Sequence, residues 1–259
     1  MKGWQIFVHS VRQVFGNIRA AVLITALPML VSVTALYVLK LKFLLVPFQF
    51  ALALQCGLIP WPKVAALLIV VQLMFVWAAV NWHRHILREE PVGFGLPPLH
   101  IRLVWSYFLA TLFLSIAVIL PTSILNGVLL GIPAGFAKAL HSETALIVGT
   151  LIFAIPILMI STIMLRAAIY LPGIALGQKT RLRDGWDASR LQLMALTILV
   201  FLMGLTFIGV AYVGKIKALY PTTSLELMWS FIGTWFKTML GLSLLTTLYG
   251  HYVEKRPLV

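Results

Sequence analysis

The chain has one cysteine, seven acidic residues and few charges of either sign: Asp, Glu, Lys and Arg together make up 10% of its 259 residues. The lone Cys56 excludes an internal disulfide and a cysteine-cluster metal site, and reads as a small packing residue. Scarce charge, with 61% hydrophobic residues and a mean hydropathy of +1.01, excludes an ordinary soluble domain. A separate soluble domain is excluded too, because apolar runs long enough to span a bilayer take up most of the chain. What remains is a single integral membrane domain over residues 1–259.

A hydrocarbon core about 30 Å thick needs roughly 20 mostly apolar residues per helical crossing. Six runs qualify, near 20–39, 64–82, 103–125, 145–165, 193–213 and 227–249. The predicted fold class is therefore an all-α membrane protein with six transmembrane helices. Residues 1–19 precede them, with Phe7, Val11, Val14, Phe15 and Ile18 at helical spacing and Lys2, Arg12 and Arg19 among them. That pattern predicts an amphipathic helix on the membrane surface. It is not a cleavable signal, since the apolar run begins too far in and no small-residue cleavage site follows.

Basic loops are retained in the cytoplasm. With the N-terminus inside, all ten arginines fall on the inner side, leaving outside only Lys40, Lys42, Lys63, Lys138, Lys215 and Lys217. Both termini are thus expected in the cytoplasm. The net charge of +13 then faces the membrane's inner leaflet, where each basic residue contributes about 1 kcal/mol of attraction to anionic headgroups. Nucleic acid is not an expected partner, because the basic residues are scattered and lack aromatic interleaving.

Arg84, Arg166 and His251 each follow an apolar run, at intervals of 82 and 85 residues, and Arg19, Arg102 and Arg190 each precede one, at 83 and 88. Two markers with one period predict three consecutive helical hairpins of one design. "HILREEP" and "HYVEKRP" share a texture and close on Pro91 and Pro257. The outer connection 42–62 is apolar but broken by Pro47 and Pro60, so it is expected to lie at the interface or dip in. A seventh crossing there would place Arg84 and Arg88 outside, against the arginine pattern.

Four stretches invite chemistry. "NWHRHILREEP" holds two histidines, two arginines and two glutamates, but His83 and His85 diverge by about 200° on a helix and cannot chelate one ion. Its basic residues suit a helix C-terminus, and Trp82 suits an aromatic belt. Lys237 lies about ten residues into its span, where an ionised lysine costs roughly 2.5–3.5 kcal/mol and no acid is in sight. It either snorkels, is held neutral by hydroxyls such as Thr234 and Thr238, or faces a cavity for an anion. In "GQKTRLRDGWDASR", Asp184, Asp187 and Arg190 predict a short amphipathic helix capped near Thr180 or Asp184, with Asp187 paired to Arg183 or Arg190. Mg²⁺ binding by the two carboxylates is disfavoured by their basic neighbours. "HSE" at 141–143 lacks a third group and an oxyanion hole.

At "RAAIYLPGIALGQKTRLRDGWDASR" the chain resembles a large group of uncharacterised six-helix bacterial inner-membrane proteins. Their fourth span runs from an arginine through a Leu-Pro pair into small residues, then a basic loop and a tryptophan followed by Ser/Thr-Arg. The matching positions are Arg166, Leu171, Pro172, Gly173, Trp186, Ser189 and Arg190. "WHRHILREEP" and "VRQVFGNIR" are similar to stretches of the same group. A more distant likeness is to the membrane domain that accompanies some glycerophosphodiesterases. The resemblance implies a fold and a bacterial inner membrane, and no established activity.

The expected function is non-enzymatic: an accessory or scaffold protein whose cytoplasmic face binds anionic lipid, a protein partner or a second copy of the chain. The candidate anion-binding residues are Arg84, Arg88, Arg166, Arg190, His251 and Lys237. The alternative is a carrier or channel for a small anionic or amphipathic solute through a cavity near Lys237. No catalytic residue, metal or cofactor is expected.

Overall fold

Apolar runs that cannot leave backbone groups unpaired in lipid must become helices. The computed structural model of the protein describes residues 2–41, 57, 59–93, 97–117, 143–190, 192–213 and 223–258, the side chains of 143–155, 211–213, 223–227 and 230 excepted. All regular structure among these residues is helical. In chain order the helices are α1 (Lys2–Gly16), α2 (Ile18–Val38), α3 (Trp61–Arg88), α4 (Ile101–Ala117), α5 (Glu143–Ala168), α6 (Leu171–Ala175), α7 (Leu182–Ala188), α8 (Leu193–Val213) and α9 (Thr223–Tyr252).

Five segments are long and apolar enough to cross a bilayer, as in a multi-pass membrane protein: Ile18–Val38, Trp61–Arg88, Pro156–Ala175, Leu193–Val210 and Phe231–Tyr252. They fall where five of the six crossings are expected. The other, 103–125, corresponds to α4 as far as Ala117, and its remainder lies outside the described residues. So does the connection 42–62, except for Gly57, Ile59, Pro60, Trp61 and Pro62.

The chain divides into two compact units. In one, α2 packs on α3, joined by α4 through Phe108 and by Ala175–Gly177. The C-terminal half of α3 is buried on every side, at Val76, Ala78, Ala79, Val80, Asn81, Trp82, His83 and Leu87. A helix buried all round has protein on each face, whereas its N-terminal half, with Leu68 and Ile69 exposed, has the character of a lipid-facing surface. Pro28 interrupts α2, and Ser32 turns its hydroxyl to the Pro28 carbonyl. This is the ordinary back-bond of a helical serine to the carbonyl four residues earlier.

The other unit contains α1, α5 and α7–α9 around Ile6, Ile169, Leu196, Leu199, Leu244, Leu248 and Tyr252. Here α1 is the informative element. Ser10 donates to Thr247 Oγ1 at 3.1 Å, Ser243 donates to the Ser10 carbonyl and to Gln13 Oε1, and the Phe15 and Phe236 rings lie 6.0 Å apart. Later residues of α1 meet earlier residues of α9, so the two helices run antiparallel, side by side. Gly3 meets α8, where a Cβ would lie 2.5 Å from the Ala195 carbonyl oxygen.

The expected amphipathic helix thus forms, but its buried stripe is Gly3, Ile6, Ser10 and Val14. Phe15 and Ile18, expected in that stripe, are exposed. The helix lies lengthwise on protein because small and hydroxylated residues allow close approach and supply hydrogen bonds between helices.

Candidate functional site

Arginines gather at two helix ends, one in each unit. In the α2–α3 unit, α3 stops because Glu89 takes a left-handed conformation (φ 54) just before Glu90 and Pro91. That turn brings Glu90 back onto Arg84 as a two-pronged ion pair, with Nε donating to Oε2 at 2.8 Å and Nη2 to Oε1. The third nitrogen of Arg84 reaches the Ala175 carbonyl at 3.4 Å, and Arg88 donates to the Leu176 carbonyl at 2.6 Å. Two guanidinium groups therefore hold the residues that close α6. That end needs Gly177, whose φ of 75 favours glycine, and Gln178 N–H returns to the Gly173 carbonyl at 3.0 Å in a Schellman-type cap.

Within this cluster His100 is the titratable group. Its carbonyl accepts the first amides of α4, from Leu103 and Val104. Burial, and then the Arg84 guanidinium, lower its pKa from the usual 6.5, against an opposing pull from Glu90. His83 is fully buried with Nε2 3.0 Å from the Tyr107 hydroxyl. His85 points elsewhere, its Nδ1 donating to the Glu90 carbonyl at 2.8 Å. The predicted divergence of the two histidines holds. Among the described residues no group of three or more His, Cys, Asp or Glu is placed to hold a metal.

In the second unit, Arg166 at the end of α5 is engaged through Nε and Nη2. Its Nε and Nη2 donate to the Trp186 carbonyl at 3.1 and 2.7 Å, Nε also reaches Ser189 Oγ at 3.2 Å, and Cζ sits 4.0 Å from the Trp186 ring centroid. Helix α7 is moored by these contacts. It packs so closely that a Cβ on Gly185 would lie 3.0 Å from the Tyr170 nitrogen. Asp184 caps the helix by accepting the Arg181 amide at 2.7 Å, and Asp187 pairs with Arg183 at 3.2 Å. Both carboxylates are thus spent within α7, as the spacing predicts. Lys179, Arg181 and Arg190 are exposed, and none belongs to the three ion pairs found among the described residues.

His251 repeats the arrangement of His85. Its Nδ1 donates to the Arg256 carbonyl at 3.1 Å, Lys255 is left-handed (φ 61), and Pro257 follows. Each ending thus has a histidine, a left-handed residue four positions on, the accepting carbonyl at the fifth and proline at the sixth. Lys237 lies on α9, partly buried, beside Phe236, and takes part in none of those ion pairs. Of "HSE", His141 and Ser142 lie outside the described residues.

Of the six candidate residues, Arg84, Arg88 and Arg166 are committed to intramolecular partners, and Arg190 is exposed. Sequence reasoning missed Glu90 and Tyr107 as partners; the left-handed turn at Glu89 before Pro91 is the local signal for the first. Comparison with protein-family models, with curated proteins and with solved structures finds no match.

Proposed function

We propose that this chain is a non-enzymatic accessory or scaffold protein of a bacterial inner membrane, crossing it six times as three hairpins with both termini in the cytoplasm. Its basic inner face associates with anionic lipid. The observation that carries this reading is the sorting of all ten arginines to one side of the expected crossings. The local match between the ends of α3 and α9 supports hairpins of one design. In this reading the arginines divide into two groups. Arg84, Arg88 and Arg166 fasten helix ends, and exposed cations remain for the lipid surface.

The test is a pair of reporter fusions, after Val259 and within 42–58. Activity of the first in the cytoplasm and of the second outside is the expected outcome. The reverse pattern, or both on one side, would refute the arrangement.

A further inference from the structure

We infer that α7 with its flanks, residues 179–190, lies in the headgroup layer of the inner leaflet and is the contact for anionic phospholipid, through Lys179, Arg181 and Arg190. This deepens the lipid-binding reading above and rests on it.

The level of the headgroups can be read from where exposed apolar surface stops. On α5 the last exposed large apolar side chain is Ile163, one turn before Arg166. On α8 exposure begins at once, with Leu193 and Met194, the latter 79% exposed. Arg190 therefore stands only three residues along the chain before a helix surface suited to hydrocarbon. α7 packs against α5 at this same end. A third marker comes from α1. Gly3 sits against Ala195 and Ile198, so exposed Lys2 and exposed Trp4 lie at the first turns of α8. Tryptophan and lysine near the edge of an apolar surface are residues enriched at an interface.

At that level the chemistry of α7 is selective. Asp184 accepts the Arg181 amide and Asp187 pairs with Arg183, and over residues 179–190 four cations face these two carboxylates, a net charge of +2. Lys179 and Arg181 precede the helix and Arg190 follows it, cations at both ends of an element about 10 Å long. Leu182, between Arg181 and Arg183, is 41% exposed and can enter the acyl boundary. Arg166 holds the helix against α5 by its carbonyl bonds and by stacking on Trp186. The partner that fits is a layer of phosphodiester headgroups with net negative charge. An acidic protein offers the same charge, without accounting for the exposed Leu182 or for the nearness of Met194.

The experiment exchanges the full chain from detergent into phosphatidylcholine bilayers containing phosphatidylglycerol, and counts each lipid retained by native mass spectrometry. The expected result for the triple variant Lys179→Gln, Arg181→Gln, Arg190→Gln is a fall of roughly 100-fold in phosphatidylglycerol affinity, about fivefold per cation removed. The charge-keeping variant Lys179→Arg, Arg181→Lys, Arg190→Lys retains the lipid, which separates charge from folding. Equal retention by wild type and the Gln variant overturns this inference and leaves the broader reading standing. A wild-type chain without preference for phosphatidylglycerol defeats both. Loss of a co-purifying acidic protein with lipid retention unchanged overturns the lipid assignment in favour of a protein partner.

Discussion

Arg166→Lys is the sharpest perturbation of the mooring of α7. Arginine offers a flat fork that donates twice to the Trp186 carbonyl, once to Ser189 Oγ, and stacks on the indole face at 4.0 Å. Lysine keeps the charge but is a point donor, so it can recover one carbonyl bond and little of the stacking. A hydrogen bond to a charged group contributes about 1.5–3 kcal/mol net. A half-exposed cation–π contact adds about 0.5–1 kcal/mol. The single Nε–H is shared between the Trp186 carbonyl and Ser189 Oγ, so lysine forgoes one donor and the stacking, a loss of about 2–4 kcal/mol in the docking of α7, or roughly a 30- to 900-fold shift toward its open state. Hydrogen exchange reads this shift directly: amides of Asp184–Ser189 exchange faster by that factor in the variant, while those of Leu240–Leu248, buried in α9, do not change. Equal exchange of α7 in both proteins would refute the mooring.

Two further predictions follow from single positions. Gly3→Leu drives a side chain into the Ala195 carbonyl and Ile198, at a cost of about 1–3 kcal/mol; the variant should lose α1 docking and be cut by trypsin at Arg12, while Gly16→Ala, which meets open space, should not. For His100, burial and Arg84 lower the native pKa below the usual 6.5, so on acidification the unfolded chain takes up a proton before the native one does. Stability is then fully present above pH 6.5 and falls as pH drops below it; His100→Asn, which keeps a residue suited to start α4, should flatten thermal stability in detergent between pH 7.5 and 5, and unchanged slopes would count against the assignment.

Hydropathy made the class and five of the crossings legible because both depend on composition over long windows, which local packing does not alter. α8 matches its expected bounds of 193–213, and α3 and α9 extend a few residues past theirs because polar ends continue the helix. Local spacing also sufficed for α7, where Asp187 pairs with Arg183 four residues away and Asp184 caps three residues back. Hydropathy did not reveal how α1 docks. Its protein-facing stripe contains glycine and serine, residues with little apolar surface, whose value lies in close approach and a hydroxyl bond to Thr247 237 residues along the chain. Nor did spacing along a regular helix find the partner of Arg84. Glu90 is six residues on, out of reach on a continuous helix, and becomes the partner only because the chain reverses at Glu89.

The reversals at the ends of α3 and α9 bear on why those sequences look alike. A non-glycine residue in the left-handed region costs about 1–2 kcal/mol, and Glu89 and Lys255 both accept that cost where glycine would avoid it. In each case the carbonyl of the next residue is held by the histidine four positions before the reversal, at 2.8 and 3.1 Å, and a proline one position further prevents the helix from resuming. A carbonyl acceptor requires Nδ1 of both His85 and His251 to carry a hydrogen. The charged residues around the turns are then used differently: Glu90 closes on Arg84, whereas Arg256 closes on Glu254. The backbone device is common to both ends while the ion pair is reversed in order. The shared texture of "HILREEP" and "HYVEKRP" therefore lies in the histidine, the reversal and the proline, and the charges between them are free to vary with the surface that each helix end meets.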